Sequence, residues 1–295
     1  FGRGCGVRQI KPLDLTWPGA SLNLSRHLHT DATMSAPRKL RVLLLHGYGM
    51  NQHSFRRRIA ALKKDAVVRV QGILTQDVAD FVFGNGPLQV QALPSETNPE
   101  PAPPSPDDPP EKQARAWWNH TDNEYRGWAE SVAYLTQMFR EHGPFDGVLG
   151  FSQGACAAAL LAASIERPEN APYVCEPIQT EPLRFAICVS GFYPCVAQFD
   201  TLLNQKITTP LLLVIGEYVG GKLTQNDSIV ETPRSMHLAE HCNNCRVIMH
   251  SGEHYVPTSA AWRHFFRDFM VSFAEPDDAW RSIPAPDTEV TSHKL

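Results

Sequence analysis

The chain has 295 residues, 42% of them hydrophobic and 20% charged, which suits one large α/β domain or two small ones with a buried core. Its 27 lysines and arginines against 31 aspartates and glutamates leave a net charge of −4, which argues against a nucleic-acid or anionic-membrane binder. The longest apolar runs, Val42–Leu45 and Leu211–Ile215, fall far short of the ~20 residues that span a bilayer, so no membrane span is expected. Seven cysteines in no framework spacing fit reduced thiols in the cytosol. The pair Cys242 and Cys245 lacks two further ligands at similar spacing, so no metal is expected.

Residues 1–33 show neither a long apolar stretch nor a hydrophobic period and read as a disordered extension. Arg3, Arg8, Lys11 and Arg26 outnumber Asp14 and Asp31, a faint presequence-like balance without a signal peptide's apolar region. Apart from that organellar alternative, the expected location is the cytoplasm, with the nucleus as a second compartment. A single domain is expected over 34–274. From Leu40 onward, apolar β-branched or leucine-rich runs alternate with longer amphipathic stretches, the pattern of β-α units on a parallel sheet. Strands are predicted at 41–45, 67–70, 147–150, 185–189, 211–215 and 246–249, and helices at 54–64, 125–142, 153–165, 233–240 and 258–272. That order is doubly wound, with the last helix closing the domain. Residues 94–110, crowded with proline, serine and acidic side chains, read as a flexible excursion within one loop. Residues 275–295 read as a loose tail.

From Phe145 the chain runs FDGVLGFSQG into an alanine-rich helix. Gly150-Phe151-Ser152-Gln153-Gly154 is a G-x-S-x-G pentapeptide between strand and helix, the setting of a nucleophile elbow. The serine must take a strained backbone there, the glycines leave room for neighbouring backbone, and the helix N-terminus faces a developing oxyanion. Ser152 is therefore the candidate nucleophile. Leu43–Leu45 lead into His46, Gly47, Tyr48 and Gly49, an H-G loop after an early strand, which assigns the amides of Tyr48 and Gln153 as oxyanion donors. His46 reads as structural.

Among 12 histidines, the base belongs on the loop after the final strand, and His254 sits there; His250 is its rival at the strand's end. The acid belongs after the strand 211–215, where Asp227 is preferred because it precedes a short apolar turn and a helix start, and Glu217 is the alternative. Trp117, Trp118 and the segment 72–93 are candidate walls of the substrate pocket, with core or lid packing as the other reading.

The opening strand into HGYGMN, ARAWWN at Ala114–Asn119, GFSQGA at Gly150–Ala155 and GEHYVP at Gly252–Pro257 together resemble the FSH-type serine hydrolases, small α/β-hydrolases, over about residues 41–273. The resemblance implies an α/β-hydrolase fold, a mostly parallel sheet with helices on both faces. It also implies a carboxylesterase or thioesterase acting on a small-molecule ester or thioester without a cofactor. Two departures stand out. The stretch from Glu217 to Asp227 is longer than the family's usual link, and Glu253 occupies a place usually taken by glycine. An acid displaced by that excursion would leave the second functional class open, a binding or scaffolding module that kept the fold and lost turnover.

Overall fold

A computed structural model describes residues 39–286 except 65–66, 71–72, 78, 95–97, 122, 174–177, 179, 218–228 and 275–278. The side chains of 63–64, 67–70, 73–77 and 217 are also outside the description. The expectations for residues 1–33, for most of 275–295 and for Asp227 thus lie outside the described residues.

The chain opens with β1 (Leu40–Leu45), α1 (Gln52–Arg58), α2 (Ala60–Lys64), β2 (Val67–Val70), β3 (Ile73–Asp77) and β4 (Ala79–Phe83). Four two-residue strands follow, β5 (Leu88–Gln89), β6 (Arg115–Ala116), β7 (Asn119–His120) and β8 (Tyr125–Arg126), then α3 (Trp128–His142). The second half holds β9 (Gly147–Phe151), α4 (Gln153–Glu166), β10 (Phe185–Val189), α5 (Asp200–Leu203), β11 (Leu211–Glu217), α6 (Thr232–Glu240), β12 (Cys245–Ser251) and α7 (Ala260–Val271). A six-stranded sheet runs in the order β12-β11-β10-β9-β1-β4, every neighbouring pair parallel.

Strands buried on both faces need apolar side chains at every position, which explains the unbroken runs VLLL, FAICV and LLLVIG. Successive side chains point to opposite faces. Leu43, Leu45, Ala186, Cys188, Leu211 and Leu213 join α3 and α4 in one cluster. Val42, Leu44, Ile187, Val189, Leu212 and Val214 join Phe55 of α1 and the aromatic stripe of α7 in the other. Helices therefore cover both faces, as an α/β-hydrolase sheet requires.

Several predicted boundaries moved. The 67–70 strand leaves the main sheet and forms an antiparallel hairpin with β3; β4, which was not predicted, takes the edge beside β1. Its sequence ADFVF is only half buried, so it carries a weaker apolar signal than the central strands. The first helix breaks at Ile59 into α1 and α2. The helix predicted at 125–142 begins at Trp128, because Gly127 turns with φ of 92° and Tyr125–Arg126 pair with β7. The proline-rich excursion carries no regular structure over most of its length, yet side-chain amides hold it: Gln91 Nε2 donates to Pro101 O at 2.9 Å and Gln89 Nε2 to Ser105 O at 2.7 Å. In the expected tail, Trp280 is buried among Phe269 and Phe273, and Arg246 Nη1 donates to its carbonyl at 2.7 Å.

Candidate active site

Ser152 stands on the turn between β9 and α4 with φ 55° and ψ −119°, a conformation an L-residue rarely adopts. The surroundings hold it there. Its amide donates to Val189 O at 2.9 Å, and α4 buries every residue from Gln153 to Ala163 against the sheet. Such close approach excludes side chains at the flanking glycines: a Cβ at Gly150 would overlap Gly154 O, and one at Gly154 would overlap the carbonyls of Leu45 and His46.

His254 lies on the loop between β12 and α7, and its Nε2 is 2.8 Å from Ser152 Oγ. Its ring rests 4.8 Å from that of Phe151. The loop reaches the serine by crossing the end of β11, where a Cβ at Gly216 would lie 2.5 Å from Glu253 O. Glu253 itself points to solvent. The rival His250 is buried in β12, with its ring 5.0 Å from Tyr255 and 5.8 Å from Trp262. His264 is exposed on α7. Glu217 ends β11, paired in register with Ser251.

The loop after β1 packs directly on the elbow: a Cβ at Gly47 would sit 3.3 Å from Ser152 Cβ. His46 is fully buried, and its ring contacts fix its tautomer. Gly86 N can only donate, so Nε2 accepts from it at 2.9 Å; Gly47 O can only accept, so Nδ1 carries the proton and donates at 2.8 Å. Burial holds its pKa down at about 4, which keeps the ring neutral and makes it a structural residue, as expected. Beyond it, Gly49 N donates to Arg115 O at 3.0 Å and Met50 N to Gly47 O at 3.2 Å. Just before them in the chain, the Tyr48 amide has no acceptor among the described residues. Gln153 opens α4, so its amide has no partner one turn earlier.

Trp117 and Trp118 are corrected from pocket walls to core. Both indoles are buried, at 0% and 1% exposure. Trp118 stacks on Tyr125 at 4.4 Å, and Trp117 Nε1 donates to His46 O at 2.8 Å. What sequence reasoning missed is the Gln153 side chain, whose Oε1 accepts from Trp117 N at 2.9 Å and whose Nε2 donates to Trp118 O at 2.8 Å. A buried carboxamide inside an apolar elbow is the only signal that could have exposed it. Leu93, from the expected pocket segment 72–93, lies against Gly49 and is 55% exposed. No group of three or more His, Cys, Asp or Glu among the described residues is placed to hold a metal, and no described helix is long and apolar enough to cross a membrane.

A parallel sheet between two helical layers, a serine strained between strand and helix, and a histidine brought to it from the loop after the last strand define an α/β-hydrolase. Within that class, the chain belongs to the family described as serine hydrolase (FSH1), whose model matches residues 34–266. It is 34% identical to esterase OVCA2 of Xenopus tropicalis over 250 residues, covering 80% of this chain and 94% of that one. It is also 33% identical over 276 residues to a protein named dihydrofolate reductase from Schizosaccharomyces pombe, covering 88% of this chain. The chain spans about half the length of that relative, 50%. Among solved structures, a single-residue variant of Arabidopsis thaliana SOBER1 matches with a TM-score of 0.50 at 16% identity, over 81% of this chain and 100% of that one, a likeness of fold.

Proposed function

We propose that this chain hydrolyses a carboxylic ester or acyl thioester of a small molecule through an acyl-enzyme intermediate. Ser152 is the nucleophile, His254 the base and Asp227 the acid, with Glu217 as the alternative acid. The observation that carries the reading is the 2.8 Å contact between His254 Nε2 and an Oγ held on a strained turn.

In this reading His254 Nε2 takes the Ser152 hydroxyl proton as Oγ attacks the carbonyl carbon, while the acid holds the imidazole and stabilises its cationic form. The Tyr48 and Gln153 amides receive the oxyanion. Collapse expels the alcohol or thiol, which leaves with the proton from His254. A water molecule, deprotonated by the same ring, then attacks the acyl-serine and releases the acid. Every step uses side chains and backbone of this chain.

The test combines a fluorophosphonate probe with p-nitrophenyl esters of graded chain length. Wild type is expected to be labelled and to turn over at least one ester, and Ser152→Ala to lose both. Undiminished labelling of Ser152→Ala overturns the nucleophile. Absent labelling together with no turnover of any ester favours a binding module on the same fold. Asp227→Asn and Glu217→Gln assign the acid: the variant that removes it drops kcat by about 10⁴-fold, the other by far less.

A further inference from the structure

Three segments distant in sequence meet around the elbow, and the middle one carries no reacting group. The elbow supplies Ser152 and the Gln153 amide. The loop after β1 supplies the Tyr48 amide. Between them runs Trp117–Trp118, tied to both. Gln153 holds it with two hydrogen bonds from one carboxamide, at 2.9 and 2.8 Å, and is itself only 6% exposed. Trp117 Nε1 reaches the other way, to His46 O at 2.8 Å. The Trp117 carbonyl accepts from Ser131 Oγ of α3, which anchors the segment to the helical layer.

The loop side has its own lock. Across a trans peptide the C=O of one residue and the N–H of the next point in opposite directions. Gly47 O and Tyr48 N share one such plane. Gly47 O is fixed by His46 Nδ1–H at 2.8 Å and Met50 N at 3.2 Å, so the opposed Tyr48 N–H is aimed by bonds made on the far side of its peptide. The ring that makes the first of these bonds is held in turn by Gly86 N at 2.9 Å.

We infer that the Gln153 carboxamide, the Trp117 indole N–H and the neutral His46 ring are positioning residues: they form one buried brace that sets the separation and aim of the two oxyanion donors. None of them touches the reacting atoms. The inference rests on the reading of Ser152 as nucleophile. Two donors on separate loops can both sit within hydrogen-bond reach of one developing oxyanion only if their loops are held relative to each other. Apolar packing alone would leave that separation to the softer contacts of the core. The brace fixes it through directional bonds in a site dry enough to make them strong.

The test uses the full chain with Trp117→Phe, which keeps a ring but removes the indole N–H, and Gln153→Met, which is close to the original in volume. Folding is checked by thermal melting, and active sites are counted by fluorophosphonate titration. The expected result is a kcat for a p-nitrophenyl ester about tenfold or more below wild type, with KM within about twofold, as for a group felt only in the transition state. A trifluoromethyl ketone, which Ser152 converts to a hemiketal oxyanion, should lose affinity in proportion to kcat. A purely structural role would lower the melting temperature and leave kcat per titrated site unchanged, and that result overturns the brace. So does a loss confined to KM with ketone affinity intact. If Gln153→Met does not fold, Trp117→Phe decides, because it keeps a ring in the core and removes one donor. A Ser152→Ala variant that remains labelled refutes the nucleophile and the brace with it; a wild type that is labelled and active beside unaffected brace variants refutes the brace alone.

Discussion

The two helices α4 and α7, which pack on opposite faces of the sheet, do so by opposite means. α4 itself is mostly small: Ala155, Cys156, Ala157, Ala158 and Ala159 are all buried, and the rings of that layer, Trp117, Trp118, Trp128 and Phe139, come from other segments. On the α7 side the gap is filled by rings, with Phe185, Phe265, Phe266, Phe269, Phe273, Trp262 and Trp280 in one cluster. Small residues let α4 approach until its first turn touches the carbonyls of Leu45 and His46, and the strained serine is a product of that approach. Rings keep α7 farther off and bury large apolar areas. α4 places the serine; α7 buries large rings.

That division can be broken from either side. Phe269→Ala empties a fully buried site between Phe185, Phe273 and Trp280 and should cost about 3–5 kcal/mol in urea denaturation. Ester turnover per titrated site should stay at the wild-type level. Gly154→Ala should do the reverse. The new Cβ meets backbone that has no slack, the first turn of α4 shifts, and kcat/KM should fall at least about 10²-fold while the melting temperature changes less than in Phe269→Ala. Equal effects of the two substitutions on turnover would erase the contrast.

The smallest effect sharpens the geometric side. His46 has a pKa of about 4 in the folded chain against its ordinary 6.5, so the unfolded chain binds its proton first as pH falls. A group depressed in this way removes no stability above pH 6.5, removes it progressively between 6.5 and about 4, and changes little below. Between pH 7 and 5 the loss should be about 2 kcal/mol. His46→Gln should flatten that acid slope in melts at the two pH values; an unchanged slope would show that other groups carry it.

The central strands were legible because burial on both faces demands unbroken apolar runs, and β10 lies where its run FAICV placed it. The elbow was legible for a different reason: glycines that clear backbone at fixed offsets from a serine are a local requirement. His254 followed from chain order, and the fold brings it to Ser152. Three features resisted. The hairpin β2–β3 and the edge strand β4 have similar short apolar runs, and only strand pairing decides which joins the sheet. Trp117 and Trp118 fit a pocket wall or a core equally well as side chains, until their neighbours close over them. Trp280 sits in a stretch rich in proline and polar residues, yet a hydrogen bond to its carbonyl from Arg246, 34 positions away, seats the ring.

By itself, then, the sequence determined the parallel α/β scaffold, the strained serine and the loop that bears the histidine, because each depends on residues close together in the chain. Tertiary structure alone decided which strand forms the edge, which aromatics are core and how the loop after β1 is tied to the elbow. Those outcomes depend on hydrogen bonds such as Gln153 to Trp117 and Trp117 to His46, whose partners stand 36 and 71 positions apart. No local periodicity encodes a contact of that kind.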